Sequence, residues 1–284
     1  MVKIISDSTC DLSGELLDKY DVSILPLHIL LGDDEYLDGV NITPDDIYKW
    51  ADANDTTPKT SAVSIADAVE VMKPVLDAGH DIVIFCIASG MSTTYNVLRL
   101  AAQELDAEER VRVIDSKNLS TGIGLQVIEA ACMAKEGKSL DEIADAMESL
   151  KERVNASFVV DTLTYLHRGG RCSGLAAMAG GMLKLHPKIA VTNGVMGAEK
   201  KYRGKMNSVL LNYAKDLEAD LLTAKKDRVF ITHSGCDQET IDSVKAYLES
   251  LHVFEEILIT RAGGVISSHC GPGTLGVLFI EAEK

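Results

Sequence analysis

Hydroxyl side chains gather in the segment that follows the apolar run 81–87, and their position suits the binding of an anion. Residues 88–96 include Ser92 and Thr93 and open a predicted helix that continues to about Leu105. Where a helix begins just after a parallel strand, its free backbone N–H groups and its dipole favour negative charge. The same segment is equally typical of an ordinary helix start that is capped by Ser92.

Two further segments carry residues that could contact the same anion, and a third carries arginine. Thr60 and Ser61 lie in a hydroxyl-rich loop before a predicted helix, and alone they indicate no more than a loop. His269 precedes a tight Gly-Pro-Gly turn, where an isolated histidine is more often structural than functional. Arg171 follows a double glycine and could contact a phosphate or a protein, although a basic helix end closed by glycine explains it equally well.

The sequence gives little support to the common catalytic sites. A serine nucleophile in a Gly-x-Ser-x-Gly turn would need glycine at position 94, where Thr94 stands. The lysines at 138 and 205 lack the glycines of a P-loop, and the histidines show no spacing of four residues that would indicate a metal site. The alternative of a serine hydrolase or a phosphotransferase that uses Ser92 with His269 stays open.

The elements that must position these residues alternate between short β-branched runs and amphipathic stretches, which predicts an α/β fold. Thr43, Ser64 and Ser139 each stand three residues before an acid, so three helix starts with capping boxes are predicted. After the last of these helices a new apolar strand begins near Phe158. We therefore expect two α/β domains with mainly parallel sheets, formed by residues 1–155 and 156–284.

The composition excludes several classes of partner and location. The chain of 284 residues carries 43 acidic and 28 basic side chains, a net charge of −15, so nucleic acid is not an expected partner. No run approaches the roughly 18 apolar residues of a membrane span, so stable membrane insertion is not expected. The opening residues do not resemble a signal peptide, and six widely spaced cysteines suit a reducing compartment, so we expect a cytoplasmic protein.

Taken in order, these segments resemble the DegV family of bacterial fatty-acid-binding proteins, and the resemblance runs the whole length of the chain. The opening residues Asp7, Ser8, Asp11 and Leu12 are similar to the family's D-S-x-x-D-L. The other matching segments are Thr60-Ser61, Ser89 to Tyr95, Val113 to Ser116, Tyr165 to Arg171 with its double glycine, and His269 to Gly273 with its Gly-Pro-Gly turn. Each motif alone would be weak, whereas six in the same order are specific.

The resemblance implies a carrier with no catalytic chemistry of its own and no cofactor or metal. It implies that one long-chain fatty acid, such as palmitate, lies in a tunnel between or beneath the domains. Its carboxylate would be bound by Thr60 and Ser92, with His269 nearby in the polar network. Ser61 and Thr93 adjoin these two hydroxyls and are included in the predicted site.

The family also includes the acyl-binding subunits of bacterial fatty acid kinase, which present the bound acid to a separate subunit that uses ATP. We therefore expect a kinase subunit as a second partner beside the fatty acid. Arg171 and Arg203 are the predicted docking residues, although each arginine alone is equally explained as solvated surface.

Overall fold

The structure of the protein is a computed structural model that describes residues 1–170 and 185–283, and it confirms the α/β class. The strands of this part of the chain are β1 (Val2–Asp7), β2 (Val22–Leu25), β3 (His28–Leu31), β4 (Asp34–Leu37), β5 (Lys59–Ser61), β6 (Asp81–Cys86), β7 (Val111–Asp115), β8 (Val154–Val159), β9 (Leu185–Thr192), β10 (Val195–Arg203), β11 (Ala224–His233), β12 (Glu256–Arg261) and β13 (Leu275–Glu281). Its α-helices are α1 (Gly14–Tyr20), α2 (Pro44–Asn54), α3 (Ile65–Asp77), α4 (Thr94–Glu104), α5 (Thr121–Lys135), α6 (Leu140–Leu150), α7 (Thr164–Gly169), α8 (Met206–Asp216), α9 (Glu218–Leu221), α10 (Gln238–Ser250) and α11 (Gly264–Cys270). Among these described helices, none has both the length and the apolar character that crossing a membrane requires.

The three predicted capping boxes are present at the starts of α2, α3 and α6. The hydroxyls of Thr43, Ser64 and Ser139 each accept the N–H of the acid three residues on, and that acid accepts the N–H of the cap residue in return. These bonds satisfy backbone donors that a helix start leaves without a partner inside the helix. The sequence therefore predicts these helix starts correctly.

The first sheet has the strand order β2-β1-β6-β7, and all its neighbouring strands are parallel. Alternate residues face opposite sides of it, because side chains of a strand alternate. Ile4 and Phe85 pack in one core with α5 and α6, whereas Ile5 and Ile84 pack in another with α3 and α4. The strand order reverses between β1 and β6, which is the place where sheets of this kind bind ligands.

The second sheet corrects the expectation of mainly parallel sheets. Its order is β10-β9-β8-β13-β11-β12, and among these described strands only β11 and β12 are parallel neighbours. Two residues, Asn193 and Gly194, join β9 to β10, and both have positive φ. Such a short connection joins antiparallel strands, because a parallel pair needs a crossover of about a dozen residues.

A small antiparallel sheet, β4-β3-β5, carries Thr60 and Ser61 on its edge strand β5. The apolar run 22–31 divides around Pro26 into β2 of the first sheet and β3 of this small sheet. Proline has no N–H to donate to a sheet ladder, so the chain can leave one sheet there and enter another. Pairing of Ile29 with Thr60 then places Thr60 beside β3, the strand that follows β2 in the chain.

Helix α5 packs between the first and second sheets. Its residues Ile123 and Val127 are fully buried in one core with Ile4 of β1 and Phe158 of β8. The predicted division at residue 155 falls inside β8, the strand with which the second sheet begins. Because this core is shared by both parts of the chain, the division into two domains stays a prediction.

Three buried aspartates tie together the loops at the carboxyl edge of the first sheet. Asp7 Oδ2 accepts the N–H of Ile87 at 2.8 Å, which joins the end of β1 to the loop after β6. Asp11 Oδ1 accepts the N–H of Gly263 at 2.8 Å, and Asp38 Oδ1 accepts the N–H of the next residue at 2.7 Å. The last two bonds attach these loops to the start of α11.

Burial raises the pKa of Asp11 to about 8 and that of Asp7 to about 6, and it also raises the pKa of Asp38. Hydrogen bonds from Ser120 and Gly263 to Asp11 act in the opposite direction but do not outweigh the loss of solvation. The ordinary pKa is 3.8, so the folded chain retains protons that the unfolded chain has already lost. This contribution to stability is complete below about pH 4 and is lost as the pH rises through the folded-state pKa values.

Asp11→Asn should stabilise the fold, relative to the parent chain, by an amount that grows as the pH rises from 4 to 8. Asparagine stays neutral and has the shape of the protonated acid, so it avoids the cost of ionising a buried carboxyl group. The difference in free energy of unfolding between the variant and the parent chain should change by at most about 5 kcal/mol between pH 4 and 8. Urea unfolding followed by circular dichroism at a series of pH values measures it.

Asp237→Asn is the matched control. Asp237 is exposed at the start of α10, and hydrogen bonds from Thr240 lower its pKa. Its stabilising effect is lost only as the pH falls below the unfolded value of 3.8, so the effect of this substitution should stay nearly constant between pH 4 and 8. If both variants change in the same direction, burial of Asp11 is not the cause of its pH dependence.

Candidate functional site

A cavity lies at the carboxyl edge of the first sheet, where the strand order reverses between β1 and β6. On this side it is lined by Leu27 after β2, by Ile87 and Met91 after β6, and by Leu119 after β7. The lining thus comes from loops that follow three parallel strands. A doubly wound sheet is expected to bind ligands at this position.

The second sheet and its helices form the opposite wall of the cavity. Phe158, Met196 and Leu278 line it from three strands. Leu166 of α7 and Val265 of α11 add two further apolar side chains. The space between the walls amounts to about 850 Å³, including its open mouth. Apolar walls on both sides suit a long apolar ligand.

Four of the predicted site residues, Thr60, Ser61, Ser92 and His269, line this one cavity. Thr60 Oγ1 lies 2.8 Å from His269 Nε2, so the hydroxyl and the imidazole are hydrogen-bonded. The two residues are 209 positions apart in the chain and come from β5 and α11. This contact gives the apolar cavity a polar region.

Gly169, at the end of α7, allows the close approach of this helix to His269. A Cβ at position 169 would lie 2.3 Å from His269 Nδ1, which is too close for any side chain. The segment with the double glycine and the segment with the Gly-Pro-Gly turn therefore meet at the histidine. Leu166, one turn earlier on α7, lines the cavity beside them.

Ser92 lies at the start of α4, but Thr93 is the N-cap residue and makes no side-chain capping bond. Ser92 Oγ accepts the N–H of Thr94 at 3.3 Å and lies 2.8 Å from Thr94 Oγ1. Thr94 is fully buried, so its two contacts fix the Ser92 hydroxyl at the cavity wall.

Buried carboxylates hold the loop that carries Ser92. Asp7 accepts the first N–H of this loop, and Asp115 Oδ1 accepts the N–H of Ser89 at 3.1 Å. Burial alone would raise the pKa of Asp115, but hydrogen bonds from Lys117 and Ser89 lower it below its ordinary value. Lys117 Nζ lies 2.8 Å from that carboxylate. Asp115 is therefore ionised at neutral pH and keeps the loop in place.

Two other predicted site residues, Thr93 and Arg203, are described by the structure and lie apart from the cavity lining. Thr93 is exposed beside Ser92, and Arg203 is exposed at the end of β10; neither is among the described residues that line the cavity. Arg171 lies outside the described residues. The roles of these three residues stay predictions.

Inspection of the sequence missed a second group of polar residues in the cavity wall. These residues are Ser120, Thr232, His233, Ser234 and Thr274. Burial and the nearby Arg261 lower the pKa of His233, so its imidazole is mostly neutral at neutral pH. The sequence did contain a signal for this group, because several of its hydroxyl and imidazole side chains come just after a predicted strand. Ser92 was predicted as a site residue from the same kind of position.

A serine hydrolase would need an imidazole bonded to the serine hydroxyl. Here His269 Nε2 is bonded to Thr60, and Ser92 Oγ is bonded to Thr94. These contacts favour hydroxyls that hold a ligand over a nucleophile with its base. Within residues 1–170 and 185–283, no group of His, Cys, Asp and Glu has the geometry to hold a metal ion.

Comparison with known sequences gives a match over nearly the whole chain. A family model described as an uncharacterised protein of the DegV family matches residues 1–282. A DegV domain-containing protein of Clostridium acetobutylicum is 32% identical over 285 residues, and the match covers 99% of each chain.

Solved structures with the same fold extend this result. A DegV family protein from Thermus thermophilus, described as binding fatty acid, has a TM-score of 0.91 and 30% identity, with 99% of each chain covered. A protein from Eubacterium ventriosum described as stearic-acid-binding has a TM-score of 0.85 and 30% identity, with 99% of this chain and 98% of that chain covered. With the family model, these matches confirm the resemblance seen in the motifs, and the chain belongs to the DegV family.

Proposed function

We propose that this protein binds one long-chain fatty acid, with the acyl chain in the cavity and the carboxylate at Thr60 and Ser92, and that it has no catalytic activity of its own. The observation that carries the proposal is a single cavity with apolar walls on both sides, whose polar lining includes these hydroxyls and His269. The Thermus thermophilus and Eubacterium ventriosum relatives, described as fatty-acid-binding proteins, support it.

The apolar walls supply the affinity in this proposal. Burial of each methylene contributes about 0.8 kcal/mol, so a chain of sixteen carbons contributes about 11 kcal/mol before the costs of association and ordering are subtracted. Side chains such as Phe158 and Leu278 from one wall and Ile87 and Leu119 from the other are available to contact the tail.

The polar residues orient the carboxylate. When Nε2 of a neutral imidazole carries the proton, His269 donates to Thr60 Oγ1, and the hydroxyl proton of Thr60 is left to donate to the ligand. Ser92 has the same arrangement when the hydroxyl of Thr94 donates to it. Each hydrogen bond to a charged group contributes about 1.5–3 kcal/mol, which offsets much of the loss of solvation. Ser61 and Thr93 are further donors in the proposal.

The proposal includes a partner and a location. In the cytoplasm, the bound acid is presented to a separate, ATP-dependent fatty acid kinase subunit. Arg203 is exposed together with Lys201 and Lys205 at the end of β10, and in a chain of net charge −15 this basic segment suits an acidic partner surface. Arg171 is assigned to the same docking surface.

Protein purified from a bacterial host should contain a bound long-chain acyl group, which mass spectrometry of the extracted lipid identifies. After delipidation, the protein should bind palmitate in titration calorimetry, because the cavity then regains its apolar contacts. Finding neither a co-purified acyl chain nor palmitate binding would exclude the proposal.

Ser92→Ala should weaken palmitate binding by roughly 10- to 100-fold, as expected for one lost hydrogen bond to a charged group, and should leave the circular dichroism spectrum unchanged. Ser208→Ala is the control, because Ser208 is an exposed hydroxyl on α8 and is not among the described residues that line the cavity. If Ser92→Ala binds palmitate as tightly as the parent protein does, Ser92 is not part of the site. Palmitate binding by Thr93→Val tests whether the exposed hydroxyl of Thr93 also contributes to the site.

Arg203→Glu should lower the rate at which a bacterial fatty acid kinase subunit phosphorylates bound palmitate with ATP, because charge reversal at a docking surface slows association. Palmitate affinity should stay the same. Lys226→Glu, at an exposed position on β11, is the control for a general effect of charge. Turnover unaffected by Arg203→Glu, or equally lowered by both substitutions, would reject docking through Arg203.

A further inference from the structure

Helix α11 carries a large share of the proposed site. His269 lies near its end, and Val265, Ile266 and Cys270 on the same helix also line the cavity. The helix has only 7 residues, and so short a helix has little stability of its own. Its position therefore depends on contacts with its neighbours.

The start of α11 is attached to two buried aspartates from the other side of the cavity. Asp11 Oδ1 accepts the N–H of Gly263 at 2.8 Å, and Asp38 Oδ1 accepts the N–H of Gly264 at 2.7 Å. Asp11 is 6% exposed and Asp38 is 2% exposed. The two bonds satisfy donors that a helix start leaves without a partner inside the helix.

The second oxygen of each aspartate leads back to the cavity wall. Ser120 Oγ lies 2.5 Å from Asp11 Oδ2, and Ser120 lines the cavity. Ser8 Oγ lies 2.8 Å from Asp38 Oδ2 and accepts the N–H of Leu27, another lining residue. Each aspartate therefore connects α11 with a residue of the opposite wall.

Glycine at the start of α11 makes this close approach possible. A Cβ at position 264 would lie 2.9 Å from Asp38 Oδ1 and 2.6 Å from Ile29 Cδ1, and a Cβ at position 263 would lie 3.1 Å from Asp11 Oδ1.

Burying carboxyl groups among neutral donors is a weak source of stability compared with apolar packing. A role in positioning explains the arrangement better than a role in stability.

Both ends of α11 are attached to the small sheet β4-β3-β5. Asp38, which follows β4, bonds to residue 264 at the start of the helix, and Thr60 of β5 bonds to His269 near its end. These attachment points are separated by about 7.5 Å along the helix axis. Two attachments at this spacing fix the position of the helix and its rotation, and therefore the direction of the imidazole.

We propose that Asp11 and Asp38 are positioning residues, which fix the start of α11 and so hold His269 against Thr60. The consequence for fatty-acid affinity rests on the proposed function. The consequence for His269 itself does not depend on a ligand.

Asp38→Ala and Asp38→Asn separate positioning from the loss of a charge. Alanine removes the acceptor for Gly264, whereas asparagine keeps a carbonyl oxygen in its place. In delipidated protein with ¹⁵N-labelled histidine, Asp38→Ala should shift the ring resonances of His269, and Asp38→Asn should leave them near those of the parent. Palmitate affinity should fall roughly tenfold with alanine and recover with asparagine.

A double-mutant cycle with His269→Ala tests whether Asp38 acts through the histidine. Asp38→Ala should then weaken palmitate binding much less in the His269→Ala background than in the parent. Equal losses in the two backgrounds, or unchanged His269 resonances in Asp38→Ala, would overturn the proposal.

Asp237→Ala is the matched control, since it removes the side chain that caps α10, a helix that contributes none of the described lining residues. Asp237→Ala should leave both the His269 ring resonances and the palmitate affinity unchanged. If Asp38→Ala does not fold, Ser8→Ala keeps the carboxyl group of Asp38 but removes the donor to its Oδ2, together with the acceptor for the N–H of Leu27. It should shift the same resonances, and no shift would overturn the proposal. If the parent protein fails to bind palmitate, the proposed function fails, while the His269 resonances still decide the role of Asp38.

Discussion

Buried carboxyl groups at the edge of the first sheet must find hydrogen-bond donors, and this requirement organises the surroundings of the cavity. Without donors, each would cost several kcal/mol. The donors to Asp11 and Asp38 include backbone N–H groups at the start of α11 and the hydroxyls of Ser120 and Ser8. These groups belong to elements far apart in the chain. Satisfying two side chains therefore brings together α11, the loop after β7 and the turn after β1.

The cavity between the sheets has a physical cost that explains why such anchors are needed. Protein interiors are normally close-packed, and atoms that line a space lose contacts with partners. Here α5 fills one region between the sheets with fully buried side chains such as Ile123 and Val127, while the neighbouring region is held apart by hydrogen-bonded elements. The acyl chain of the proposed ligand would supply the contacts that the two walls cannot make with each other. Because it would bind only the folded state, its binding would stabilise the fold.

Features that depend on neighbours in the chain could be predicted from the sequence, and features that depend on distant pairing could not. The caps at Thr43, Ser64 and Ser139 join residues three positions apart. The antiparallel order of the second sheet joins strands that are distant in the chain, and it was not predicted. In the site, motifs identified Thr60, Ser92 and His269, but the attachment of α11 to buried aspartates was not predicted, because aspartate is usually exposed.

The protonation of Asp11 also affects how the cavity can accept an anion. The chain has a net charge of −15, yet exposed charges farther away than about 8 Å are largely screened at physiological salt. The charges that act on a bound carboxylate are therefore those in the cavity wall, where Asp11 contacts Ser120. With a pKa of about 8, Asp11 is mostly protonated at neutral pH. The burial that raises its pKa thus removes a negative charge that would repel the proposed ligand, and neutral hydroxyls can then hold the head group.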